Sequence, residues 1–240
     1  VRLYFLSDLH IGHQQESFVE VFFHFLDQVQ KEDALILGGD IFDLLVGPHP
    51  YFLQKYSKII QKIDALGQAG IQVYFIEGNH DFFLRPVFQH IQVVEKEVTI
   101  EFAGKKFFCT HGDLANPRDY GYRTLRSVLR SKPFFWFVQC LSVTQAEKVA
   151  TTLQKCFSRS AAGAGYKDPA SRTIYRSYAA QRLQEGCDFV LMGHTHDLDE
   201  MHFMLADRPG QYINAGFPKA HRSFLMWEPG EKKIARCKLY

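Results

Sequence analysis

Five short clusters in this chain place carboxylates, imidazoles and one carboxamide at close spacing. They are Asp8-Leu9-His10, Gly39-Asp40-Ile41-Phe42-Asp43, Gly78-Asn79-His80-Asp81, His111-Gly112-Asp113 and Gly193-His194-Thr195-His196. Carboxylate oxygen and imidazole nitrogen suit hard to borderline divalent ions such as Mn²⁺, Fe²⁺ or Zn²⁺. No thiolate accompanies them, which argues against a structural zinc site. Two such ions roughly 3.5–4 Å apart clamp the attacking and leaving oxygens of a phosphoryl group and lower the pKa of a bound water. Glycines beside the clusters let the backbone turn sharply and approach a ligand closely. Any one cluster is commonplace in a surface turn. Five in this order, each just behind an apolar run, point to a single site.

The elements that must position them follow from the pattern. Arg2 to Leu6, Ala34 to Leu37 and Ile71 to Ile76 are apolar runs of strand length that stop at polar or glycine residues. Between them, Ser17 to Gln30 has Val21, Phe22, Phe25, Leu26 and Val29 at helical spacing, and Tyr51 to Leu66 predicts a second helix ending at Gly67 and Gly70. This β-α-β-α-β order is that of an α/β sheet. Val93 to Phe102 and Lys105 to Thr110 flank Ala103-Gly104 as a hairpin. Residues 118 to about 185 read as mostly helical, with a small-residue loop at Ser158 to Gly165, and Phe189 to Met192 returns to strand. From Asp199 on, strands and turns are expected. In an open α/β sheet the carboxyl ends of the strands line the ligand crevice, so the five clusters should converge there. The helical middle is expected to be an insertion of about 118–185 within one domain spanning 1–240.

Of the 240 residues 46% are hydrophobic, enough for a sizeable core and against overall disorder. The formal net charge of +2 hides an asymmetry. Residues 118–182 carry twelve Lys/Arg and three Asp/Glu, so this segment is +9 and the remainder −7. That points to an anionic partner at the middle segment, or to a solvated helical face. The five cysteines (Cys109, Cys140, Cys156, Cys187, Cys237) form no CxxC or tight framework, so free thiols in a reducing compartment are expected. The chain opens directly on a strand-like run, so no secretory leader is expected. The longest strongly apolar stretch, Phe134 to Leu141, is too short to span a bilayer. The chain is therefore expected to be soluble or to sit at a membrane surface.

The ordered clusters D-x-H, G-D-x-x-D, G-N-H-D, H and G-H-x-H resemble the calcineurin-like metallophosphoesterase family over essentially the whole chain outside the middle segment. The resemblance implies a four-layer α-β-β-α sandwich with a helical cap. It implies one metal held by Asp8, His10 and His196, a second held by Asn79, His111 and His194, and Asp40 bridging the two. Asp43 is followed by Leu44-Leu45 rather than by the Arg-Gly of the protein Ser/Thr phosphatases. The opening Phe5-Leu6-Ser7-Asp8-Leu9-His10, the stretch Thr110-His111-Gly112-Asp113 followed by Asp119, and Ser160 seven residues before Lys167 look more like the UDP-2,3-diacylglucosamine pyrophosphatases of lipid A synthesis. That resemblance implies substrate contacts at Asn79, His80, Asp119, Ser160, Lys167 and His194. His80 departs from the Arg common at that position, Ala164 from an Asn, and Ile213 to Phe217 lacks a Gly-Asp-Trp.

The resemblance implies a dinuclear hydrolase, with Mn²⁺ the expected ion. It would cleave UDP-2,3-diacylglucosamine to UMP and 2,3-diacylglucosamine 1-phosphate, with His80 and Asp81 as catalytic residues and Asp81 or Asp43 orienting His80. The basic residues Arg118, Arg123, Arg126, Lys167, Arg172 and Arg176 and the aromatic run Phe134 to Phe137 would suit an anionic lipid-linked nucleotide sugar, or attachment to anionic lipid. The expected location is cytoplasmic and peripheral at the inner membrane, with no nucleic-acid partner. The competing readings are a phosphodiesterase or nucleotide pyrophosphatase acting on a soluble substrate, and a non-catalytic interaction scaffold.

Overall fold

The computed structural model describes residues 1–12, 16–163, 169–206 and 208–240, without the side chains of 156–163, 169 and 170. The chain runs β1 (Leu3–Leu6), α1 (Ser17–Asp27), β2 (Ala34–Leu37), β3 (Leu45–Val46), α2 (Pro50–Lys55), α3 (Ser57–Gln68), β4 (Gln72–Ile76), β5 (Asp81–Phe82) and β6 (Gln92–Val94). It continues through β7 (Glu97–Phe102), β8 (Lys105–Thr110), α4 (Tyr120–Leu129), α5 (Lys132–Gln139), α6 (Val143–Gly163) and α7 (Pro169–Gln184). It ends with β9 (Phe189–Met192), β10 (Glu200–Met204), β11 (Pro209–Asn214), α8 (Pro218–His221), β12 (Ser223–Trp227) and β13 (Ala235–Lys238).

Alternation along the strands builds two large sheets with two covered faces each, beside the short parallel pair β3-β5. One sheet has the order β13-β12-β1-β2-β4-β6 and the other β10-β11-β9-β8-β7. Leu3, Phe5, Ala34, Ile36, Tyr74 and Ile76 point from the first sheet toward Phe107, Cys109, Phe189, Leu191 and Ile213 of the second, closing an inter-sheet core. The alternate residues, Tyr4, Leu6, Leu35, Leu37, Val73 and Phe75, pack outward on Phe18, Phe22, Phe25, Ile59 and Ile63 of α1 and α3. On the far side, Phe108, Val190, Met192 and Tyr212 lie under Tyr175, Ala179 and Leu183 of α7. Side chains of opposite parity on each strand thus serve different cores, and four layers, α-β-β-α, result.

Most expected elements are in place. The helix expected over Tyr51 to Leu66 is interrupted at Tyr56, whose backbone leaves helical geometry (φ −116°, ψ 14°) while its ring is buried 4.8 Å from Phe42. Ala103 and Gly104 both take positive φ, 47° and 77°, the two-residue turn whose twist matches an antiparallel pair. The helices α4–α7 leave from β8 and return to β9, its parallel neighbour.

Candidate metal centre

The loops after β1, β2, β4, β8 and β9 meet at one end of the sandwich, as their position behind carboxyl strand ends requires. The first two are zipped together by backbone bonds from Asp8 N to Gly39 O (3.0 Å) and from His10 N to Asp40 O (2.9 Å). Asp8, His10, Asp40, His194 and His196 all sit at positive φ, between 46° and 70°. Each such non-glycine residue costs about 1–3 kcal/mol, and that strain aims the side chains inward. Gly78 and Gly193 are needed for the opposite reason. A Cβ on Gly78 would lie 2.1 Å from Asp40 Oδ1, and one on Gly193 2.2 Å from Asp8 Oδ2.

Two groups of donors result. Asp8, His10 and His196 form the first: His196 Nε2 is 3.3 Å from Asp8 Oδ1 and 3.0 Å from His10 Nε2. Asn79, His111 and His194 form the second: Asn79 Oδ1 is 3.0 Å from both His111 Nε2 and His194 Nδ1, and the two ring nitrogens are 3.2 Å apart. Asp40 lies between, with Oδ2 3.7 Å from His10 Nε2 and 3.4 Å from His111 Nε2. All seven residues expected to bind metal are therefore brought together.

The donor set fits a pair of cations. His111 Nδ1 donates to the Gly38 carbonyl at 2.9 Å, which turns Nε2 toward the Asn79 oxygen and Asp40. Burial disfavours charge on this ring, yet Asp40 raises its pKa to about 10, so the site favours positive charge at this point, which a cation would supply in place of the proton. Burial lowers the pKa of His10 to about 3 and, with His111, that of His194 to about 4, keeping both rings neutral as ligands must be. Burial works against ionisation of Asp40, yet His111 and His80 outweigh it and hold the carboxyl well below its usual range.

The surrounding contacts hold this geometry. Ser7 Oγ donates to Asp8 Oδ2 at 2.5 Å, and the His194 N–H to both Asp8 oxygens at 3.0 Å. Lys219 Nζ donates to the His10 carbonyl (2.7 Å) and to Glu16 (2.8 Å). The Phe217 ring stacks on His196 at 4.7 Å and 10°. Phe217 stands in the sequence only as the end of a stretch that lacks a Gly-Asp-Trp, and Lys219, in the four-residue α8, carries no motif, so neither announces a place beside the donors.

Asp81, expected to be catalytic with His80, lies in a cradle of backbone N–H groups. Its buried carboxylate accepts four backbone N–H bonds, Oδ1 from Asp40 and Gly78 (2.9 Å each), Oδ2 from Ile41 (2.7 Å) and Phe42 (3.3 Å). It clamps the Asp40 loop to the Asn79 loop. Burial and the Asp40 charge push its pKa up to about 7, against the Gly78 and Asp40 N–H bonds and the His111 charge. His80 is oriented instead by the backbone of Asp43: Nδ1 donates to that carbonyl at 2.6 Å, which turns Nε2 to the side of His10 and Asp40. The His80 N–H donates to Asp40 Oδ1 at 2.8 Å.

The expected substrate contacts are placed unevenly. Asp119 is exposed and caps α4, accepting from Tyr122 N at 3.0 Å. Lys167 and the side chain of Ser160 fall outside the described residues. Part of the basic segment is paired within the chain. Arg126 pairs with Asp113 (2.7 Å), Arg130 with Glu77, Arg172 with Asp197 (2.5 Å) and Arg176 with Asp199 (2.5 Å). Much of the positive charge therefore meets the negative excess of the same chain, which a charge count cannot distinguish from attraction for a separate anion.

The chain belongs to the calcineurin-like phosphoesterase family, whose model matches residues 1–198, and is a metal-dependent phosphoesterase. It is similar to the UDP-2,3-diacylglucosamine hydrolase of Aeromonas hydrophila, 27% identical with 96% of each chain covered. It is also similar to the enzyme of that name in Aeromonas salmonicida, at 28% identity over 96% of this chain and 91% of the relative. Among solved structures, the E. coli phosphoesterase YfcE matches over the full length of both chains with a TM-score of 0.46 and 16% identity.

Proposed function

We propose that the protein hydrolyses UDP-2,3-diacylglucosamine to UMP and 2,3-diacylglucosamine 1-phosphate, and that Asp8, His10 and His196, Asn79, His111 and His194, and Asp40 between them would hold two Mn²⁺ ions. The observation that carries this reading is the position of Asp40 Oδ2, within 3.7 Å of His10 Nε2 and 3.4 Å of His111 Nε2, between two otherwise separate trios. The names of the relatives support the substrate. Bound there, the ions supply Lewis acidity toward phosphoryl oxygen and lower the pKa of water.

The residues of the chain account for the rest. Water adds its oxygen to the α-phosphorus, the bond to the bridging oxygen breaks, and the leaving diacylglucosamine 1-phosphate takes the electron pair. His80 presents Nε2 to the phosphate, to hold an oxygen or to hand the leaving group a proton. The Asn79 amide group stabilises the negative oxygen.

The helical segment suits an acylated anion. A cleft of about 320 Å³ is lined by Glu77, Phe83, Arg85, Arg130, Lys132 and Phe135, mixing aromatic and cationic groups. An apolar notch lined by Tyr122, Leu125 and Leu129 reaches Asn79 and shares Arg130 with that cleft. Tyr120, Leu125, Val128, Trp136, Phe137 and Val143 are exposed on α4–α6, which supports contact with a lipid surface. No helix among the described residues is long and apolar enough to cross a membrane. The 240 residues act as one domain with α4–α7 as its cap. The test is release of UMP from UDP-2,3-diacylglucosamine in mixed micelles with Mn²⁺. UMP appearing in stoichiometric amount with the sugar phosphate is expected. No UMP, with turnover of a soluble phosphodiester intact, would remove the substrate and leave the reaction class.

A further inference from the structure

The helical segment grips the loops of one donor trio more than those of the other. On α4, Arg126 Nε (2.7 Å) and the Tyr122 hydroxyl (2.5 Å) both donate to Asp113, which is buried two residues beyond His111. One turn further along, Arg130 pairs with Glu77, donates to the Gly78 carbonyl at 2.7 Å and lies over Phe82 at 5.4 Å. Glu77 in turn accepts from Leu84 N at 2.7 Å, so the arginine braces both ends of the turn that carries Asn79. On α7, one turn apart, Arg172 forms a bidentate pair with Asp197 (2.5 and 2.8 Å) and Arg176 one with Asp199 (3.0 and 2.5 Å). These two carboxylates are buried and follow directly on His194 and His196.

Asp8 and His10 are braced differently. Their contacts come from Ser7, from the loops after β2 and β9 and from Lys219 in α8, none of which belongs to α4–α7. His196 shares the α7-braced loop but is also stacked on Phe217. Partners of metal-ligand loops fix ligand orientation, and their removal typically weakens metal binding about 10–100-fold. Arginine forks suit this task, because two parallel bonds set angle as well as distance.

We infer that Arg126 and Arg130 are positioning residues for the Asn79–His111–His194 ion alone, so that the cap which receives substrate also completes one half of the metal centre. The inference rests on the two-trio reading above. Occupancy of that half then depends on how α4 is seated, whereas Asp8 and His10 are set by the sandwich itself and His196 by the loop that α7 braces.

The test is Mn²⁺ titration of metal-free full-length protein by calorimetry, with electron paramagnetic resonance to separate a coupled Mn pair from an isolated ion. Wild type, Arg126→Met/Arg130→Met, Arg126→Lys/Arg130→Lys and Lys148→Met are compared, Lys148 being an exposed α6 lysine that controls for lost charge. The Met variant is expected to bind one ion as wild type does and the second about tenfold or more weakly, with an isolated-ion spectrum at limiting Mn²⁺. The Lys variant should fall between, since it restores charge without the fork, and it decides the question if the Met variant is unfolded by circular dichroism. Equal weakening of both ions, no weakening of either, or the same loss in Lys148→Met would overturn the inference. Fewer than two ions bound by wild type would remove the two-metal reading itself, a result distinct from any of these.

Discussion

The loops at the sandwich edge and the helical segment α4–α7 are built on opposite terms. At the edge, side chains are buried and short and take strained backbone: five of the seven proposed ligands sit at positive φ, and Asp8 and His111 are fully buried. In the cap, helical geometry is ordinary and large apolar groups face outward, with Trp136 at 64% and Phe137 at 51% exposure. Catalytic geometry needs atoms held to fractions of an ångström, which strain and buried hydrogen bonds provide. Reception of a long acylated molecule needs area that is not already satisfied by the fold. The arginines of α4 and α7 join the two regions, turning the positive excess of one against the negative excess of the other.

This contrast can be broken at several points. Asp40→Ala removes the carboxylate between the trios and should cost several kcal/mol of transition-state stabilisation, on the order of 10³-fold in kcat. The loss should be equal on the lipid substrate and on bis(p-nitrophenyl) phosphate, because the edge serves both; full activity would remove the dinuclear mechanism. Truncation separates the regions by stability. Phe22, wholly buried between α1 and the first sheet, should cost about 3–5 kcal/mol as Ala in urea unfolding. Phe137→Ala, half exposed, should stay within about 0.5 kcal/mol. A large cost at Phe137 would make the cap surface structural.

Asp81→Asn tests the clamp. An amide keeps the shape but offers one oxygen to four N–H donors, so about 1–3 kcal/mol of stability should be lost. An Asp81→Asn protein that is stable yet inactive would instead return the residue to a catalytic role. The smallest expected effect is at the notch. Leu125→Ser should lower kcat/KM on the acylated substrate about tenfold, through apolar contact of about 1–2 kcal/mol, and leave bis(p-nitrophenyl) phosphate turnover unchanged. An equal loss on both would place Leu125 in the edge machinery.

The two regions also differ in how far residue order alone reveals them. The seven convergent positions were legible because each stands behind an apolar strand, and strand ends in an α/β sheet meet. The role of Asp81 was not, because a carboxylate beside a histidine reads equally as an acid, an orienting group or a backbone acceptor until its four donors are seen. The arginines were legible as charge and not as partners: Arg130 and Glu77 lie 53 residues apart, and nothing local announces the pairing. The break at Tyr56 was hidden for a similar reason, since helical periodicity continues through it while tertiary packing against Phe42 decides the backbone.

Hydrolysis of UDP-2,3-diacylglucosamine in ¹⁸O-labelled water, with mass analysis of both products, tests the central claim most directly. Attack by water at the α-phosphorus in the Asp40-bridged centre predicts one ¹⁸O in UMP and none in 2,3-diacylglucosamine 1-phosphate. Label in the sugar phosphate, or hydrolysis that persists undiminished in Asp40→Ala, would contradict it.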